Sequence, residues 1–480
     1  MTKRISRTLF DVLAIGTRRA VARAMTTEVS WWADLDGKII GTVFIDGVDR
    51  DYSWAMLARD LRGQFRWIDG NASLLSERIA TAQLRIAIEE KCRDPGFSGW
   101  EPQGDEAEGR LLDLFDDRGV PDAKLHKYYL ELRDRPARAP ARMVFKAISP
   151  WLITSDPNLV KEFQESQFDQ RLWEIYLWAT FRDQGYDVEH RVAPDLIMTS
   201  PWYSFSVEAT TVATSTAGPL ATHPDPRTPE EVDAFLADYM PMKFGGPLTS
   251  KLNKVDAQGR HYWQMPGTEG LPFVLAIADF HKEAAPEMPG SMCYSQGGLY
   301  SYLYGLRATA ELINGQAVYR YELIAQHAYN GKVIPSGFYT LPGSENVSAV
   351  LFSNAATLAK FDRIGVRAGF APDKHKYLRV GFVYDPDPNA LIPIPFKVDV
   401  SDPAYDEYWG DEVQIFHNPR ALRPLDAEAF PDATHYWLKD GQLVAKAGGG
   451  AVLSSMTAIF CIGEAANIRR SDTIELPAAP

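Results

Sequence analysis

Cysteine is scarce: Cys92, Cys293 and Cys461 stand alone in 480 residues, with no C-x-x-C pair. That excludes a disulfide framework and a cysteine-rich zinc site, and it fits a reducing compartment. Positive charge is also short. Fifty Lys plus Arg against 63 Asp plus Glu leave a net charge of −13, which weakens long-range attraction to a phosphate backbone or an anionic membrane. Any nucleic-acid contact must therefore be local. No apolar run approaches the ~20 residues that span a bilayer, so the expectation is a cytoplasmic protein with no membrane partner. The nine histidines never fall into H-E-x-x-H or another compact spacing, and the chain has no Walker A loop, G-x-S-x-G or G-x-G-x-x-G. Those absences argue against NTPase, serine-hydrolase and dinucleotide chemistry.

What is present is ordinary globular material, 45% hydrophobic and 24% charged, long enough for roughly three domains. Residues 1–29 read as a basic helical arm, with Lys3, Arg4, Arg7, Arg18, Arg19 and Arg23 against Asp11. Residues 30–92 read as a small β-meander with a helix. Strands are expected at Trp31 to Asp34, Ile39 to Asp46 and Tyr52 to Asp69, with turn signals at Asp36-Gly37 and Arg62-Gly63, and the helix over Ser76 to Lys91. Residues 93–150 pass from the acidic Asp105 to Asp117 stretch to the basic, proline-interrupted Arg133 to Arg142, which predicts a connector. A boundary is expected near Pro150. Residues 151–282 then form one unit and residues 283–480 an α+β extension, with no internal repeat.

The middle unit is the most patterned. From Ser166 a helix is expected, with Phe168, Leu172, Ile175 and Ala179 at helical spacing and Gly185 to end it. Three strands follow at Tyr186 to Val192, Asp195 to Met198 and Tyr203 to Thr211. Thr228-Pro229-Glu230-Glu231 caps a helix through Tyr239, a second helix runs from Ser250 to Trp263, and Phe273 to Ala278 is a further strand. Glu174 lies in the first helix, Pro194-Asp195 opens the second strand, and Glu208-Ala209-Thr210 falls in the third. Alternation puts Glu208 and Thr210 on one face and Ala209 on the other. If the second and third strands pair, Asp195 and Glu208 converge. Two carboxylates at a sheet edge suit a hard cation such as Mg2+, which orients water and stabilises charge on a phosphoryl oxygen.

At these residues the segment from about 160 to 282 resembles the PD-(D/E)XK, or restriction-endonuclease-like, nuclease superfamily. The resemblance implies an α+β fold whose α/β core is a mixed four-stranded sheet flanked by helices. It also implies Mg2+- or Mn2+-dependent phosphodiester cleavage of DNA, with bacterial defence or repair as the setting. Asp195 and Glu208 would ligate metal, the Ala209 carbonyl would add a ligand, and Glu174 would bind through water or hold a second ion. The family usually carries Lys two positions after the second acid, where this chain has Thr210. Lys251 and Lys254 on the helix after Ser250 are the expected substitutes. Gln258 and Tyr262 on the same face look like the Gln-x-x-x-Tyr element of RecB-type nucleases. Asp279 and His281 end the last strand and border the same cleft or cap it.

Two other readings stand beside this one. The fold could be catalytically silent and serve as a nucleic-acid or protein interaction module, as the missing lysine and the acidity of residues 151–282 suggest: ten Lys plus Arg against 18 Asp plus Glu. Or the motif is accidental. Residues 118–146, with eight basic against three acidic side chains, would supply phosphate contacts or be an exposed basic connector.

Overall fold

A computed structural model describes residues 1–106, 112–116, 118–152, 156–282, 295–387, 389–448 and 452–461. Asp117, Cys293 and Tyr294 lie outside the described residues. The architecture is mixed α+β, built on several sheets. Among the described residues no helix is long and apolar enough to cross a membrane.

The first 93 residues form an antiparallel five-stranded sheet covered by a helix, Glu77–Arg93. Ser76 caps that helix through the Ile79 amide, and Ala80, Leu84 and Ile88 pack on Ile39, Val43, Trp54 and Met56. Tyr52 to Asp69 is two strands rather than one, Tyr52–Arg59 and Phe65–Leu74. Asp60 breaks it: its carboxylate accepts from the Arg62 and Gln64 amides, and Gly63 takes φ +82°, a turn geometry that glycine adopts without strain. The expected basic arm is likewise tied down. Thr2–Arg4 is the edge strand, Arg18 pairs with Asp11 and Glu28, and the Arg182 guanidinium gathers the Gly16 and Arg18 carbonyls.

Residues 127–148 are not a loose connector. Lys127–Asp134 and Ala139–Ile148 are helices whose Tyr129, Leu132, Val144, Phe145 and Ile148 join the main core. One arginine of the stretch expected to be exposed is taken up inside the protein: Arg138 pairs with Glu131 and the buried Asp362, whereas Arg133 pairs at the surface with Asp122 and Asp134 and Arg135 stays exposed.

The central element is an eight-stranded sheet. Its leading helix is α1 (Phe168–Asp183), followed by β1 (Asp187–His190), β2 (Leu196–Thr199) and β3 (Ser204–Val212). A helical stretch opens with the Thr228/Glu231 capping box and continues through Phe235–Tyr239 into α2 (Met240–Leu252). Then come β4 (Phe273–Asp279), α3 (Gln296–Tyr304), β5 (Ala349–Ser353), β6 (Gln414–His417), β7 (Thr434–Lys439) and β8 (Gln442–Lys446). The strands lie side by side in this numerical order. β1, β2 and β3 form an antiparallel meander, and β4 runs parallel to β3. β5 is parallel to β4, β6 antiparallel to β5, and β7 parallel to β6.

Both faces of the sheet are covered, which is why its central strands are apolar throughout. Along β4, Val274, Ala276 and Ala278 face the α1 side, where small side chains let the helix approach, and Trp173 donates its indole N–H to the Ala276 carbonyl at 3.2 Å. Phe273, Leu275 and Ile277 face the α2 and α3 side, each contributing about 1.5–3 kcal/mol by full burial.

Candidate active site

The acids meet where β2 stops short of β3. The last pair between these strands is Leu196 with Val207, so the β2 side of β3 is vacant beyond that point and the Asp195 side chain fills the place. Its Oδ2 accepts from the Ala209 amide at 2.7 Å, and its own amide donates to Glu208 Oε2 at 3.2 Å. The N–H and C=O of one strand residue point to the same side, so the Ala209 carbonyl faces the Asp195 side as well. Upstream, the β1–β2 turn is closed by Arg191 N donating to Asp195 O at 2.9 Å.

Glu208 is 3% exposed and points to the α2 face, as Thr210 does. Lys251, in the last turn of α2, places its ammonium on Glu208 Oε1. The Tyr262 ring lies 5.9 Å from that ammonium. Burial, then the Glu208 charge and a hydrogen bond to it, holds the Tyr262 hydroxyl in its protonated form. Glu174 borders the same cleft from α1, accepting from Gln170 Nε2 at 2.9 Å and Arg171 Nη1 at 2.7 Å. The cleft has a volume of about 490 Å3, with Glu174, Asp195, Ala209 and Lys251 among its walls. Glu174, Asp195, Glu208, Ala209, Lys251 and Tyr262 are thus brought to one place.

Lys254 and Gln258 are not. The helix expected over Ser250 to Trp263 ends at Leu252, because Asp256 captures the Gln258 and Arg260 amides and Gly259 takes φ +77°. Both side chains are exposed on that loop, and Tyr262 reaches Glu208 from a short 3-10 turn rather than from an α-helical face. Asp279 and His281 bond each other at 2.6 Å at the far end of β4 and pack against His223. Asp279 pairs with Val212, four residues along β3 from Glu208, or about 13 Å at strand rise.

Electrostatics favour a cation here. Burial first, then the neighbouring Glu208 and Glu174 charges, raises the Asp195 carboxyl well above its ordinary range, and Lys251 offsets part of this. An all-oxygen donor set of Asp195, Glu208 and the Ala209 carbonyl fits a hard ion. Among the described residues no group of three or more His, Cys, Asp or Glu is arranged to hold a metal, so an ion here would rest on two carboxylates, backbone and water.

Two residues of the cleft escaped the sequence reading. Arg171 pairs with Glu174, Glu162 and Asp156 and joins the cleft wall; its i, i+3 spacing to Glu174 was the available signal. His190 lines the cleft with a buried Nε2 that has no hydrogen-bond partner, and burial lowers its pKa to about 4. Nothing in its spacing marks it.

Compared with family models, curated proteins and solved structures, the chain matches none.

Proposed function

We propose that the chain is a divalent-metal-dependent nuclease acting on DNA, built on a PD-(D/E)XK-like core. Support for the core comes from the order of helix, three-stranded antiparallel meander, helical crossover and parallel fourth strand, with Glu208 on β3 and Asp195 immediately before the start of β2. The observation that carries the reading is Lys251. The lysine missing at Thr210 is replaced by one that arrives from α2 on the same sheet face and meets the second acid.

In this reading Asp195 and Glu208, with the Ala209 carbonyl, would hold the ion, and Glu174 would bind it through water. A bound Mg2+ would polarise the phosphoryl oxygen and acidify the attacking water. Lys251 sets a positive charge beside the place where negative charge develops. Tyr262 stays protonated and orients Glu208.

A second reading, a silent interaction module of the same fold, is favoured by one observation. Glu208 is already bonded through both oxygens and Asp195 through Oδ2, so an ion must displace internal bonds to bind. The deciding experiment compares the parent, Asp195→Asn and Lys251→Ala on single- and double-stranded DNA with Mg2+ or Mn2+. Cleavage by the parent that both variants lose by about 10²–10⁴ supports the nuclease. Binding without cleavage selects the module, and neither activity rejects both.

A further inference from the structure

We propose that an aromatic cavity on the α2 and α3 side of the sheet binds a nucleobase, meaning a flat heteroaromatic ring with an N–H donor on its edge. The cavity measures about 530 Å3, within the range of small-molecule sites. Half of its lining residues are rings, Tyr300, Tyr319, Tyr321, Tyr384, Phe416 and Tyr436, and most of the others are aliphatic. Phe416 and Tyr436 sit opposite each other on β6 and β7, with ring centroids 4.7 Å apart and planes 7° from parallel, so this part of the wall is fixed by the sheet. Tyr319 and Tyr384 are 51% and 43% exposed and form the mouth. Among the described residues no Lys, Arg, His, Asp or Glu lines the space. A phosphate, carboxylate or ammonium would enter without a counter-charge, which is costly, whereas a neutral π-face would not.

Gln296 makes the choice more specific. It is the first residue of α3, lines the cavity, is 6% exposed, and its Oε1 is buried without a hydrogen-bond partner. Buried acceptors are normally satisfied, so a donor on the occupant would complete it. A glutamine amide presents an acceptor and donors side by side, the complement of the adenine edge, where an amino group donates and a ring nitrogen accepts. Stacking on tyrosine supplies the remaining affinity and is tolerant of which base is present.

The cavity is separate from the acid cluster. Glu208, Leu275, Val350, Phe416 and Tyr436 are register partners in one row across β3 to β7. Tyr436 is therefore four strand spacings from Glu208, about 19 Å. The proposal stands on the chemistry of the cavity and not on cleavage. The base could arrive in a free nucleoside or in a nucleic-acid strand, and the test separates these sources.

Calorimetric titration of the full chain with each of the four common ribonucleosides, with a deoxyadenylate tetramer, and with N-methylindole, which is flat but has no N–H, provides that test. At least one nucleoside should bind with Kd below about 1 mM. Gln296→Leu should weaken it about tenfold or more while changing N-methylindole by less than about twofold, as expected for loss of one hydrogen-bonded edge. Tyr319→Ala, at the exposed mouth where truncation opens no core cavity, should also weaken the nucleoside by about tenfold. Asp195→Asn should bind as the parent does. A tetramer about tenfold tighter than adenosine assigns the site to a strand, and equal affinity assigns it to a small molecule. The proposal is overturned if no nucleoside binds the parent, or if binding survives unchanged in both Gln296→Leu and Tyr319→Ala.

Discussion

Lys251 and Glu208 are 43 residues apart in the chain and form an ion pair between α2 and β3. The carboxylate is 4% exposed and the lysine side chain 27% exposed, so the pair joins a buried anion to a cation that water still reaches. That asymmetry shapes the first two predictions.

Lys251→Met strands a buried carboxylate. Breaking a fully buried pair costs about 3–5 kcal/mol, and the partial exposure of Lys251 lowers the expected loss to about 1–3 kcal/mol. Lys251→Met/Glu208→Gln should recover most of it, because the uncompensated charge is gone. Urea unfolding of the three proteins decides this, and equal stability of the single and double variants would contradict it.

Metal affinity should move the other way. Removing the ammonium frees Glu208 Oε1, so Lys251→Met should bind Mn2+ more tightly than the parent, by about threefold or more, even as cleavage falls. Asp195→Asn and Glu208→Gln should abolish binding in the same calorimetric titration. Unchanged binding in both acid variants would exclude them as the principal ligands.

The raised Asp195 pKa has a definite sign. A carboxyl whose folded pKa exceeds its unfolded value of about 3.9 contributes stability below that pH and loses it as pH rises through the folded value. Asp195→Asn should therefore raise the thermal midpoint at pH 7.5 relative to the parent, with the difference shrinking toward pH 4. A variant less stable than the parent at pH 7.5 would contradict the crowding of Asp195, Glu208 and Glu174.

Histidines pull stability the opposite way. Burial lowers His190 to about 4, and burial with the neighbouring His435 lowers His417 to about 4. Their neutral forms stabilise the fold above the unfolded value of about 6.5, and that stability is lost as pH falls toward 4. Ring-proton NMR of both residues should show no titration between pH 8 and 5.5.

Lys254→Ala and Gln258→Ala should leave any cleavage within about twofold of the parent, since both side chains lie on the exposed loop beyond α2. A tenfold loss in either would return these residues to the site.

The contrast between Lys251 and Lys254 illustrates how far the chain's letters reach. The strands β1 to β4 were legible because alternation and turn residues mark them locally, and the meander alone is enough to bring Asp195 to Glu208. Where α2 ends was not legible, because one aspartate capturing two amides outweighed a plausible helical face. Residues 127–148 were misread for a different reason. Arg138 finds Asp362 across 224 residues, and no local pattern shows that a charge has a distant partner. The same holds for β5 to β8. They are strands of four to six residues, each short enough to pass for loop, and only the sheet they complete identifies them.

The sequential order of the eight strands also bears on how the chain is made. Emerging from the ribosome, β1 to β4 can pair at once, but β4 then shows a bare backbone edge until residues 349–353 are synthesised about 70 residues later, some 4–14 s at ordinary elongation rates. Its flank is Phe-Val-Leu-Ala-Ile-Ala, an uncharged, β-prone run of the kind that recruits other strands. The acid cluster is therefore assembled on a sheet that is unfinished at birth. A fragment released at residue 282 would keep every acid of the site and lose the neighbour that makes its last strand an interior one.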